Sequence, residues 1–267
     1  MSGKTDIKSA ADLPEASRQT VRDMILSLAD SKRILGILYA YWVLGAPELE
    51  ANIAASSISQ DEWGHSRILY ALLKDFGDDP EKLEHSREPA EYQNIEALDA
   101  RLATWPEFVV ANALVDAALT VQLEALSESR FVPLRQRVQK QLEEERFHAA
   151  HGAAWLRRLG NAGGPPRGAL QDALDARWAA VLHWFGPDDF AAAEVAAGLV
   201  SAAGGELRAR FLSRAAALLK ESKLTVPEVK LDFSSWNPRT RRRSAAGPDP
   251  EAVARARGDR NRAFFVE

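Results

Sequence analysis

The chain has 267 residues, no cysteine and a formal net charge of −4, with 46% apolar and 27% charged residues. That composition is ordinary for a globular protein with a sizeable core and far from disordered or fibrous chains. It excludes disulfides, thiolate zinc sites, cysteine-ligated iron–sulfur clusters and a cysteine nucleophile, and it lacks the basic balance expected of a general nucleic-acid binder. Any metal site must therefore be built from His, Asp and Glu.

The N-terminus, MSGKTDIKSAADLPEAS, is polar and has no apolar signal-peptide core. The longest uncharged stretch, Ile34 to Pro47, is too short to span a bilayer. A cytoplasmic protein that engages neither membrane nor nucleic acid is expected.

Apolar residues recur at helical spacing almost throughout. The pattern predicts a first helix from about Glu15 to Leu44. Pro47 opens a second, which runs to about Phe76 and is stopped by Gly77-Asp78-Asp79-Pro80. Glu81 to Ala103 is charged and reads as a long connection with one helical turn. A third helix is expected from Pro106 to Ser129, and a fourth from Pro133 to Gly160. After the break at Asn161–Pro166, further helices are expected over 169–185, 188–203 and 206–221. The texture changes after Leu224. Residues 1–224 are expected to form a helical domain, and 225–267 an extended, arginine-rich tail. Residues 235–267 carry eight Arg against Asp249, Glu251, Asp259 and Glu267.

Two long helices, a long crossover and two more long helices is the layout of an all-α, ferritin-like four-helix bundle. Two Glu-x-x-His motifs fall on it: Glu62 and His65 on the second helix, Glu145 and His148 on the fourth. At that spacing carboxylate and imidazole share one face, so both can reach one ion. Both motifs lie in apolar stripes, Ile58–Leu69–Leu72–Phe76 and Val138–Leu142–Trp155. A carboxylate in such a stripe is costly unless it is paired or metal-bound. On the third helix Asp116 stands among apolar neighbours with no cap to make, which marks it as a further ligand or as an internal partner for Lys32, His65 or His148; Glu124 is a second ligand candidate. On the first helix either Lys32 or Asp30 could face the centre. A lysine there could neutralise the carboxylates and take the place of one metal ion. His151 reads as a supporting residue beside the ligands, and Asp61 as either a group that orients an imidazole or part of the solvated face.

Three runs, APELEANIAASSISQDEWGHSRILYALLKDFG, VDAALTVQLEAL and EEERFHAAHGAAWLRRLG, resemble the second, third and fourth helices of the ferritin-like subunits of bacterial phenylacetyl-CoA epoxidase (ring-1,2-phenylacetyl-CoA oxygenase). WFGPDDF and LTVPEVKLDF are similar to that family's later helices and tail. The resemblance covers most of residues 20–235 and implies one of two roles. The first is a di-iron monooxygenase component that uses O2 to epoxidise the ring of an aromatic acyl-CoA such as phenylacetyl-CoA, with electrons from a reductase. In it Glu62, His65, Asp116, Glu145 and His148 are metal ligands, and Glu62, Asp116 and Glu145 are the catalytic carboxylates. Iron is the expected metal, and manganese suits the same donors. The second is a non-catalytic structural subunit with a degenerate, metal-poor site, since Lys32 falls where the family has Glu. Either role implies a homologous ferritin-like partner or self-association. The apolar run Ile34–Leu44, with Tyr39, Tyr41 and Trp42, is expected to need such a cover. Arg239, Arg241, Arg242 and Arg243 could meet the phosphates of CoA, or form a solvated or partner-binding tail.

Overall fold

The computed structural model describes residues 5–264; the outermost parts of both expected segments, 1–4 and 265–267, lie outside the described residues. The chain is helical, with no strand among the described residues and two isolated bridges, Ile7 to Phe131 and Asn237 to Arg242. Four long helices form the bundle: α1 (Glu15–Ala40), α2 (Leu49–Leu73), α4 (Trp105–Leu126) and α5 (Val132–Ala162). A short α3 (Pro80–His85) sits in the crossover. Beyond the bundle lie α6 (Gly164–Trp184), α7 (Ala192–Ala197), α8 (Gly204–Glu221) and α9 (Pro250–Arg257).

The ends of these helices follow from local chemistry. Asp79 caps α3 by accepting from Glu81 N, Thr104 caps α4 by accepting from Glu107 N, and Asp249 caps α9 by accepting from Ala252 N. Each helix so capped has a proline in its first turn, where the missing N–H costs nothing. Between α1 and α2 the backbones approach closely at Gly36. A Cβ there would lie 2.5 Å from Trp63 Cδ1, and Ser59 Oγ donates to the Gly36 carbonyl at 2.8 Å. Gly152 does the same for α4 and α5, where a Cβ would meet the Ala113 backbone at 2.8 Å.

Several expected boundaries move. The first helix ends at Ala40, not Leu44, and the second begins at Leu49. Residues 188–203 hold only the short α7, because Ala191 and Gly198 take left-handed backbone at its two ends. The tail is extended only to Asp249, where the Asp-Pro cap starts α9. α9 then lies on α1 and covers much of the apolar run expected to need a partner: Ile34, Ile37, Leu38 and Tyr39 are buried within the chain, and Arg255 stacks on Tyr41. Leu44 alone of that run's large aliphatics is fully out, at 94% exposure.

The stretch Trp105–Leu126 is long and apolar enough to cross a bilayer by length and composition, even though Glu107, Asp116 and Glu124 interrupt it. In the fold, 83% of its most apolar part is buried. It is the central core helix. Its middle turn, Ala111–Val115, is a π-turn that ends at Asp116. One extra residue in a turn shifts the phase of everything after it, and such insertions often mark functional sites.

Candidate functional site

The residues of interest meet at mid-height of the bundle, one or two from each long helix. Lys32 comes from α1, Glu62 and His65 from α2, Asp116 from α4, Glu145 and His148 from α5, and all six are at most 2% exposed. The i, i+3 spacing on α2 and α5 turns each Glu and His toward the same centre.

Lys32 is the hub. Its Nζ donates to Asp116 Oδ1 at 2.6 Å, to Glu145 Oε1 at 2.6 Å and to Glu62 Oε1 at 3.1 Å. An ammonium has three donors, and each has a carboxylate. Thr120 Oγ1, one turn after Asp116, donates to the other Glu145 oxygen at 2.8 Å. His148 Nδ1 lies 3.2 Å from Asp116 Oδ2 and 3.3 Å from Glu62 Oε1. Its Nε2 reaches outward to Asp61 at 3.3 Å, so Asp61 orients this imidazole as its position suggested. His65 Nε2 pairs with Glu144 at 2.6 Å, and its Nδ1 lies 3.2 Å from Glu145 Oε1. Each buried imidazole thus joins the buried carboxylates to a half-exposed one at the bundle surface.

The electrostatics follow from this geometry. Burial opposes a charge on Lys32, but Asp116, Glu145 and Glu62 together hold its pKa well above the ordinary value. Burial would raise Asp116 and Glu145, yet Lys32 and the histidines bring both below the usual carboxylate range. Glu62 is the exception. Burial and the neighbouring Asp116 push it up to about 7, against the pull of Lys32. Burial opposes a charge on His148, but its bonds to Asp116 and Glu62 raise it to about 11; His65 is raised by Glu145 and Glu62 against burial. The centre is a nearly balanced cluster of three carboxylates against an ammonium and imidazolium.

The other candidates lie elsewhere. Asp30 faces away from the cluster, bound by Arg87 (Nη1 to Oδ2 at 2.9 Å), Tyr70 Oη at 2.6 Å and the Gln93 N–H at 2.7 Å. Lys32, not Asp30, is therefore the inward residue of α1. Glu124 pairs with Arg214 at the surface. His151 bonds Asn112 Oδ1 at 2.8 Å on the π-turn, and burial with the nearby His148 lowers its pKa. Sequence reasoning missed Glu144 and Tyr39. Glu144 hides in the run Glu143–Glu145, and only its pairing with His65 sets it apart. Tyr39, two turns after Lys32, is fully buried, with its pKa driven up by burial and by the carboxylates of Asp116 and Glu62. A cavity of about 560 Å³ between α4, α5 and α8 opens beside Thr120 and Glu145; its lining mixes small residues such as Ala113 and Ala149 with the charged Glu124, Arg146, Arg157 and Arg214.

Glu62, Asp116, Glu145 and His148 each offer one ligand atom, all within 4.8 Å of one another, so the group could hold an ion. The donor types suit iron or manganese. A pair of ions does not fit the residues present. No carboxylate comes from α1, and the Lys32 ammonium already engages one oxygen of each bridging candidate. Only Glu62 Oε2 and His65 Nδ1 within this cluster are buried without a hydrogen bond.

Residues 1–242 match the family described as phenylacetic acid catabolic protein. The chain belongs to this family. It is similar to two different subunits of the 1,2-phenylacetyl-CoA epoxidase of Escherichia coli (strain K12). One is 27% identical over 237 residues, covering 87% of this chain and 76% of the relative. The other is 26% identical over 205 residues, covering 76% of this chain and 82% of the relative. The near-equal similarity to both leaves the role of this family member to the site itself.

The four tail arginines that could have met phosphates, Arg239, Arg241, Arg242 and Arg243, are engaged within the chain. Arg242 bonds Asp99 at 2.6 Å and the Asn94 carbonyl at 2.8 Å; Arg243 meets Glu96 and Arg239 meets Asp23, each at 3.4 Å. Arg241 is buried against Trp184. The set is a clasp on the crossover and α1, not a free row of phosphate-binding side chains.

Proposed function

We propose that this protein is a ferritin-like subunit of a multi-component oxygenase of the phenylacetyl-CoA epoxidase type, and that it is a metal-poor structural subunit. One observation carries the choice: the Lys32 ammonium, fully buried, donates to Glu62, Asp116 and Glu145 at once. A fixed cation at that point repels a metal ion and satisfies the oxygens that would bind it. Under this reading Lys32 with Glu62, His65, Asp116, Glu145 and His148 holds the four long helices in register through charge. Its partner is a homologous subunit that carries the complete centre, with a reductase serving that partner in the cytoplasm. The helical domain, 1–224, is then the scaffold, and the tail, 225–267, its clasp.

The catalytic reading remains the second one, favoured by the cavity beside Thr120 and Glu145. There the same five residues would hold iron for oxygenation of an aromatic acyl-CoA.

Metal analysis after loading with ferrous iron under argon separates the two. The structural reading expects fewer than one ion per chain in the wild type and a clear rise in Lys32→Glu, which restores a ligand and removes the charge. Two ions per wild-type chain would overturn it. Co-expression with a homologous subunit is expected to give a stable complex, with ring-epoxidising activity dependent on the partner's ligands alone.

A further inference from the structure

The 31-residue α5 carries two stripes. Val138, Glu145, His148 and Trp155 face the bundle and are buried. On the other side Glu143, Phe147, Ala150, Ala154 and Arg157 follow one another at steps of four and three, and all five are exposed. That is the seam spacing of a helix packed lengthwise on another helix. Phe147 stands in the seam at 75% exposure, and the small Ala150 and Ala154 beside it let a second backbone approach. The helix α2 runs antiparallel alongside, held by Glu48–Arg158, Asp61–His148 and His65–Glu144. Its outer side continues the surface: Ile53 is 63% exposed, and a Cβ at Gly64 would meet nothing within 4 Å.

The seam is charged at its two ends with opposite sign. Glu143 stands at one end and Arg157 with Arg158 at the other, about 21 Å away at about 1.5 Å per residue. Each arginine already meets one carboxylate, Glu221 or Glu48, yet their side chains remain 48% and 59% exposed and open to a second. A second α5 laid parallel would set acid on acid and arginine on arginine. Laid antiparallel about an axis between Ala150 and His151, it brings Glu143 of each copy to Arg157 and Arg158 of the other. The same register seats Phe147 of each copy on Ala154 of the other. Lys140, one turn beyond Glu143, then faces the uncharged Asn161.

We propose that the outer face of α5, flanked by α2, docks a second copy of this chain, with the two α5 helices antiparallel about Ala150. The choice of occupant rests on charge complementarity. The two ends of one seam complement each other, so a single chain carries both sides of the contact, and every pairing is made twice about the two-fold axis. The surface lies outside the Lys32 cluster and does not depend on the role assigned to it.

Sedimentation of the full chain at micromolar concentration tests this. The wild type is expected at twice the 29.3 kDa of one chain, and Phe147→Glu at the mass of one chain with an unchanged thermal melt. Glu143→Arg is expected to raise the dimer Kd about tenfold or more, and adding Arg157→Glu to restore it. The chain has no cysteine, so Ala150→Cys places a single thiol beside the axis. Oxidation with diamide is expected to link two such chains, while Gly168→Cys, on open surface of α6, stays unlinked. A monomeric wild type overturns the proposal, and so does a dimer that Phe147→Glu leaves intact. A wild type that is monomeric alone and pairs through Phe147 with a homologous subunit overturns it as well.

Discussion

Lys32 Nζ and Asp116 Oδ1 lie 2.6 Å apart across the centre of the bundle, joining α1 to the turn that follows the π-segment of α4. The contact ties the first-helix residue of the site to the helix whose phase is set by an irregular turn. Removing the cation strands three buried carboxylates. Lys32→Met is therefore expected to cost about 3–5 kcal/mol in urea unfolding at pH 7. The deficit should shrink toward pH 5, where the stranded carboxyls take up protons. An equal deficit at both pH values would show that lost packing, not charge, dominates.

His148 gives a pH signature. Its folded pKa, raised to about 11, lies above the ordinary 6.5. The stability it contributes is complete below pH 6.5 and is lost as pH climbs toward 11. The wild type should lose stability with a slope of up to about 1.4 kcal/mol per pH unit across that window. His148→Gln should flatten the slope. Glu62, raised to about 7, adds a loss between 4.5 and 7 only, so the two are separated by range. Denaturant melts at pH 6, 8 and 9.5 are the check.

The buried Asp30–Arg87 pair, joined by Tyr70, stands outside the cluster. Arg87→Met leaves a buried carboxylate without its cation and is expected to destabilise by about 3–5 kcal/mol. It should leave iron uptake by Lys32→Glu unchanged. A change in that uptake would mean the two networks are coupled.

Thr120→Val removes the hydroxyl that donates to Glu145 at 2.8 Å while keeping the shape of the side chain. A loss of about 1.5–3 kcal/mol is expected, because the acceptor is charged and buried. Chemical denaturation of Thr120→Val beside Thr120→Ser separates the hydrogen bond from packing.

Gly152 fixes how closely α5 approaches the π-turn of α4, since a Cβ would stand 2.8 Å from the Ala113 backbone. Gly152→Ala is expected to cost about 1–3 kcal/mol through displacement of two helix backbones. Gly64, whose Cβ would meet nothing within 4 Å, is the control, and Gly64→Ala should be neutral or stabilising. Thermal melts of the two variants beside the wild type read the difference.

The helical architecture was legible in the sequence, and so were five of the six side chains that converge at the centre, as candidates. Apolar period and proline and glycine stops are local signals, and two Glu-x-x-His motifs in apolar stripes can only be buried together in a bundle. The sequence also narrowed the first-helix choice to Lys32 or Asp30, but not further. Both stand on apolar faces of one helix, and α1 is buried nearly all round once α9 covers it, so period alone cannot tell the bundle side from the clasp side. Only the tertiary structure decided that, by bringing Arg87 and Tyr70 to Asp30 and three carboxylates from three helices to Lys32. It likewise turned three of the candidate phosphate ligands, Arg239, Arg242 and Arg243, into internal pairs. Their acids, Asp99, Glu96 and Asp23, lie far back in the chain, where no local pattern reaches.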